Sequence, residues 1–114
     1  MMIPSETASL SHTEAVTRLG HALSDHTRTR ILVALREAPA VPSYLADTLG
    51  GSRQVISNQL ACLRGCGVVA VDKAGRNNWY RLADPHLAGA VDELLKVMLF
   101  VDPDCCSTDG CICT

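Results

Sequence analysis

Apolar residues recur along the chain at first with a helical period and later with a strand period. Val16, Leu19, Gly20 and Leu23 fall at helical spacing and predict a first helix over about Thr13–Leu23. Asp25 is placed to cap a second helix through Arg36, with Ile31, Leu32, Ala34 and Leu35 as its apolar residues. Pro39 and Pro42 end that helix and set a short linker. Ser43 is expected to cap a short third helix with Leu45, Ala46 and Leu49 inward, and Gly50-Gly51 turns the chain into a fourth. In this fourth helix Ser52 is the N-cap, and Gly65 and Gly67 bracket the C-terminal end. At about 100° per residue, Ile56, Leu60 and Leu63 make a narrow stripe that should face a core. The pattern then shifts to two strands, Val68–Lys73 and Asn78–Leu82, joined as a hairpin through Ala74-Gly75-Arg76-Asn77. Either Trp79 or Tyr80 must pack inward.

Asp84-Pro85 supplies a cap and first-turn proline for a last helix. Its apolar positions are Leu87, Val91, Leu94, Leu95, Met98 and Leu99, with Val97 and Phe100 beyond them. That is more apolar surface than one flank of a small domain has to cover. Together with the first helix it predicts a dimer interface.

A short helix, a tight glycine turn and a second helix with polar residues at its start form a helix-turn-helix, and the hairpin after it is a wing. The expected fold class is mainly α with a β-hairpin wing (α+β), a winged helix-turn-helix that forms a homodimer through its first and last helices. At 114 residues the chain reads as one domain. Residues 1–11 are expected to be a flexible tail, 12–101 the DNA-binding and dimerisation domain, and 102–114 a flexible cysteine-rich tail. No internal repeat appears. The first residues do not read as a signal peptide and no segment is long enough to span a membrane, so no membrane partner and a cytoplasmic location are expected.

The net charge of −2 does not advertise nucleic-acid binding, but its distribution does. Residues 1–52 carry −1, residues 53–82 carry +4, and residues 83–114 carry −5. The basic segment contains the fourth helix and the hairpin, which is the footprint a DNA-facing surface needs. Arg53, Gln54, Ser57, Asn58 and Gln59 lie mostly off the apolar stripe near the helix start, with side chains that hydrogen-bond base edges and phosphates. Lys73, Arg76 and Arg81 on the hairpin are placed to reach phosphates.

Six cysteines in a cytosolic chain point to metal binding or redox sensing more than to a disulfide scaffold. Cys62 and Cys66 are four apart on the fourth helix, with Cβ atoms roughly 5–6 Å apart on one flank. The others, Cys105, Cys106, Cys111 and Cys113, lie in the tail. Thiolates select soft or borderline ions: Cd(II), Pb(II), Hg(II), Zn(II), Cu(I) or trivalent arsenic. Two helical thiolates make an open clamp; a third ligand suits Pb(II) or As(III), and a fourth suits Cd(II) or Zn(II). Packing is the other reading of the pair, since free cysteine is often a small buried hydrophobe. No Cys-x-x-Cys redox motif, nucleophile triad or phosphate loop is present, so neither an enzyme nor a small-molecule substrate is expected.

Three stretches carry a resemblance. They are Ala22-Leu-Ser-Asp-His-Thr-Arg-Thr-Arg-Ile-Leu-Val-Ala-Leu35, Ser57-Asn-Gln-Leu-Ala-Cys-Leu-Arg-Gly-Cys-Gly-Val-Val69, and Gly75-Arg76 followed by Tyr80-Arg-Leu82. In this order, over roughly residues 15–101, the chain resembles the ArsR/SmtB metal-sensing repressors. The resemblance implies a winged helix-turn-helix dimer that binds operator DNA in the apo state and is released by inducer metal. Its sites differ among members. The third helix here has no cysteine, which excludes one of them. Asp84 and His86 match half of another, but the later positions are Val97 and Phe100.

Leu60-Ala-Cys-Leu-Arg-Gly-Cys-Gly67 is similar to the CmtR-like, cadmium- and lead-sensing subgroup. That similarity implies Cys62 and Cys66 as metal ligands, joined by a tail cysteine from the other subunit. Cys105 and Cys106 stand side by side where one tail ligand is expected, and Cys111 and Cys113 are additional candidates. The implied inducer is Cd(II) or Pb(II), with As(III) or Zn(II) also accommodated. Two alternatives stand beside this: a thiol-redox-sensing repressor, and a metal-sequestering protein that works through its tail.

Overall fold

The computed structural model describes residues 11–101. The elements run α1 (His12–Ala22), α2 (His26–Leu35), α3 (Pro42–Leu49), α4 (Arg53–Gly65), β1 (Val69–Ala74), β2 (Asn77–Leu82) and α5 (Pro85–Leu94). The expectations for residues 1–10 and for the tail cysteines lie outside the described residues.

Most helices begin where a side-chain oxygen meets a first-turn amide that has no intrahelical partner. Ser11 accepts from Glu14, Asp25 from Arg28, Ser52 from Val55, and Asp84 from His86. The third helix differs from its prediction. Its N-cap is Val41, which makes no side-chain bond, and Ser43 lies inside the first turn. Pro42 takes the first helical position instead, where its fixed φ suits the helix and its missing N–H leaves one donor fewer to satisfy.

The core is built around the stripe of α4. Ile56, Leu60 and Leu63 are fully buried against Ile31 and Leu32 of α2 and Leu45 of α3. Gly50, with φ of 78°, lets the chain leave α3 in a left-handed conformation and re-enter a helix within three residues. At its far end α4 closes with paired backbone bonds: Val68 N–H donates to Leu63 O at 3.1 Å, and Gly67 N–H to Arg64 O at 3.0 Å. This is a Schellman closure around Gly67 at φ 79°. It fixes Cys66 as the C-cap and passes the chain directly into β1.

The strands pair antiparallel from Val69↔Leu82 to Ala74↔Asn77. Only Gly75 of the two turn residues has positive φ, the pattern of a II′ turn. Tyr80 packs on the core while Trp79 is exposed. Tyr80 also exchanges backbone bonds with Ala40, at 2.8 and 2.9 Å, so the α2–α3 linker is tied to the wing.

The last helix is shorter than its apolar pattern predicts. It ends at Leu94, and the amides of Lys96 and Val97 bond three residues back in a tightened final turn. Val91 is its buried residue, and every residue after it as far as Val101 is exposed. Leu94, Leu95, Met98, Leu99 and Phe100 are exposed, as is Val16 of α1. Among the described residues no helix is long and apolar enough to cross a membrane.

The two glycines at the end of α4 have opposite roles. A Cβ meets nothing within 4 Å at either position, so only backbone conformation decides the outcome. Gly67→Ala should lower stability by about 1–2 kcal/mol, the cost of a left-handed non-glycine residue. Gly65→Ala, inside the helix, should raise it by about 0.5–1 kcal/mol. Urea denaturation at one fixed protein concentration checks both signs.

Candidate metal centre and DNA-facing surface

The burial of Ile56, Leu60 and Leu63 decides what α4 shows to solvent. Arg53, Gln54, Ser57 and Asn58 are all exposed over its first two turns. Gln54 Nε2 donates to Asn58 Oδ1 at 3.0 Å, an i,i+4 pair that holds two amide side chains in one row. Gln59 is set apart from this row. It is half-buried, and its Oε1 accepts from Arg28 Nη1 at 3.2 Å.

On the wing, Lys73 and Arg76 are exposed, and neither makes a salt bridge with another described residue. Arg81 differs from expectation. Its Nε lies 2.8 Å from Asp72 Oδ2, a diagonal cross-strand pair that occupies the guanidinium. The free positive charge of this surface therefore centres on Arg53, Lys73 and Arg76.

The opposite end of α4 carries the thiols. Cys62 and Cys66 are both free and half-buried beside the stripe. The Cys66 amide donates to Cys62 O at 3.0 Å, so the helix backbone sets their separation. Outside α4, the structure adds a third donor that sequence spacing did not reveal. His21, in the last turn of α1, brings a ring nitrogen to the two sulfurs, and all three ligand atoms lie within 4.8 Å of one another. No motif links residue 21 to residues 62 and 66; only tertiary packing does. Two thiols and an imidazole form a donor set for soft and borderline ions, and no carboxylate belongs to it. Cys105, Cys106, Cys111 and Cys113 lie outside the described residues.

Arg28 joins this end of the molecule together. Its Nε donates to Ala22 O at 3.1 Å and its Nη2 to His21 O at 3.1 Å, answering carbonyls at the end of α1. Its remaining nitrogen reaches Gln59 on α4. One guanidinium thus spans α1, α2 and α4.

These features carry distinct similarities to known proteins. A profile described as "Bacterial regulatory protein, arsR family" matches residues 25–71, from the cap of α2 into β1. The HTH-type transcriptional regulator CmtR of Mycobacterium tuberculosis is 53% identical over 90 residues, covering 79% of this chain and 76% of CmtR. This chain belongs to the arsR family of bacterial regulatory proteins. A second relative, the HTH-type transcriptional regulator NmtR of M. tuberculosis, is 39% identical over 74 residues, covering 65% of this chain and 62% of NmtR. The NMR structure of the cadmium metal-sensor CMTR from M. tuberculosis aligns with a TM-score of 0.64 at 53% identity, over 77% of this chain and 92% of that one. The arsR-family fold is accordingly a winged helix-turn-helix here, with α3 and α4 as the paired helices and β1–β2 as the wing.

The Asp84–His86 pair has a local structural role. Asp84 Oδ1 accepts from the His86 amide at 2.7 Å and lies 2.8 Å from His86 Nδ1, both side chains being exposed. The backbone bond first, and then the ring, hold the Asp84 carboxyl below its usual range. A depressed folded pKa means that this cap stabilises α5 above the ordinary carboxylate pKa and is lost as pH falls through the lowered value. An NMR titration should place the Asp84 midpoint below that of an unstructured aspartate, with loss of amide protection at His86 on the acid side.

Proposed function

We propose that this chain is a metal-responsive transcriptional repressor that binds operator DNA as a homodimer and releases it when its thiols take up a soft metal. One observation carries the reading: the helix that exposes Arg53, Gln54, Ser57 and Asn58 at its start holds Cys62 and Cys66 at its end. Whatever the thiols draw together acts on the helix that meets DNA. The cadmium sensor with 53% identity over most of this chain supports the same assignment.

In this reading Arg53, Gln54, Ser57, Asn58 and Gln59 face bases and backbone, and Lys73 and Arg76 position the wing on phosphates. Arg28 orients Gln59 from inside the domain. The exposed apolar residues of α1 and of the segment after Val91 meet their equivalents in a second protomer, which suits a two-fold symmetric DNA site. Cys62 and Cys66 hold the inducer with Cys105 or Cys106, and Cys111 and Cys113 are additional donors. Cd(II) and Pb(II) are the proposed inducers, with As(III) and Zn(II) also compatible with the donors. The chain works in the cytoplasm and as a binding protein, without catalysis.

The reduced full chain, bound to its own promoter DNA under anaerobic conditions, tests this when titrated with Cd(II), Pb(II) or As(III). Anisotropy should report DNA release in step with thiolate–metal absorption in the near ultraviolet. Cys62→Ser and Cys66→Ser should each retain DNA binding and lose the release, a response expected to be about 5–150-fold in the parent chain. Release that persists in either variant contradicts the assignment.

A further inference from the structure

The third donor beside the thiols comes from the wrong helix for a site confined to the recognition helix. We propose that His21 is a metal ligand from the same protomer as Cys62 and Cys66, so that the site joins α1 to α4. The inference deepens the sensing function proposed above and rests on it.

The geometry is close to ligation. Two donors about 2.3 Å from a tetrahedral ion stand roughly 3.8 Å apart. The three ligand atoms already lie within 4.8 Å, a difference of about 1 Å that side-chain rotation can close. The backbone of His21 is held in place: its carbonyl accepts from Ser24 Oγ at 2.6 Å and from Arg28 Nη2 at 3.1 Å. A two-torsion side chain on a fixed backbone loses little freedom on ligating. Among the described residues the imidazole engaged in a side-chain bond is that of His86, so the His21 ring has no such bond to give up.

The donor chemistry has a consequence for selectivity. An imidazole beside two thiolates favours Zn(II) and Cd(II), whereas an all-sulfur trigonal set favours Pb(II) and As(III). With one further thiolate the set becomes Cys3His, a tetrahedral combination typical of zinc. His21 therefore biases the response toward tetrahedral divalent ions. It also places the site between two functions: α1 bears part of the exposed apolar surface, and α4 bears the polar row. Arg28 already spans the same two helices through His21 O and Gln59 Oε1. Ligation by His21 adds a metal link between the end of α1 and the end of α4 beside that bridge.

Full-length protein labelled with 15N-histidine and loaded with 113Cd(II) gives the most direct test. A 113Cd–15N coupling on the His21 ring is expected. His21→Gln should fold normally, since the ring is exposed and the helix bonds are made by backbone. It should keep the thiolate–metal absorption but bind Zn(II) roughly tenfold or more weakly in chelator competition, a loss in the range expected when a metal site loses a supporting group. Absence of coupling together with unchanged Zn(II) affinity in His21→Gln overturns the inference; if Cys62→Ser meanwhile abolishes the absorption, the thiol sensor itself stands. Full absorption and affinity in Cys62→Ser as well would remove both.

Discussion

Burial of the Ile56–Leu60–Leu63 stripe is the constraint on which the rest of this molecule depends. Three fully buried aliphatic side chains contribute about 1.5–3 kcal/mol each, a large fraction of the margin of a small domain. Their burial against α2 and α3 leaves α4 no rotational freedom. The polar row from Arg53 to Asn58 then has to face outward, and Cys62 and Cys66 have to lie on the flank, half-buried. The same contact that stabilises the fold assigns each remaining face of one helix to a separate task.

The helix is closed as firmly at its ends as along its side. Ser52 caps its start and the Schellman turn at Gly67 ends it at Cys66. A thiol at a C-cap sits at a boundary where the backbone changes direction, so a force on the sulfur reaches both the helix and the first strand of the wing. Ala40 and Tyr80 extend that continuity to the α2–α3 linker. The wing is therefore not an appendage, and a change at the thiols has a packed path to Lys73 and Arg76.

The elements read from periodicity emerged where local chemistry and packing agree. Asp25, Ser52 and Asp84 announced their helices because each cap is a local bond that the sequence spells out. The stripe of α4 was legible for the same reason. Ser43 misled because Pro42 takes the first helical position, which puts the N-cap at Val41, two residues earlier. The apolar run to Phe100 promised a longer helix than the protomer sustains, because hydrophobic pattern records surface to be covered, including surface that another subunit covers. Cys62 and Cys66 could be found from i,i+4 spacing, but His21 could not: only the tertiary fold brings the last turn of α1 beside the end of α4. Arg81 read as a free cation until strand register brought Asp72 diagonally opposite.

Metal and DNA act as antagonists through one helix, and linkage requires the antagonism to be mutual. The most direct measurement is the Cd(II) affinity of the reduced chain, by chelator competition, with and without saturating promoter DNA. Cd(II) should bind more weakly on DNA, by the same factor by which Cd(II) weakens DNA binding. Equal Cd(II) affinity in the two states would contradict it, because the thiols would then bind metal without acting on the DNA-facing helix.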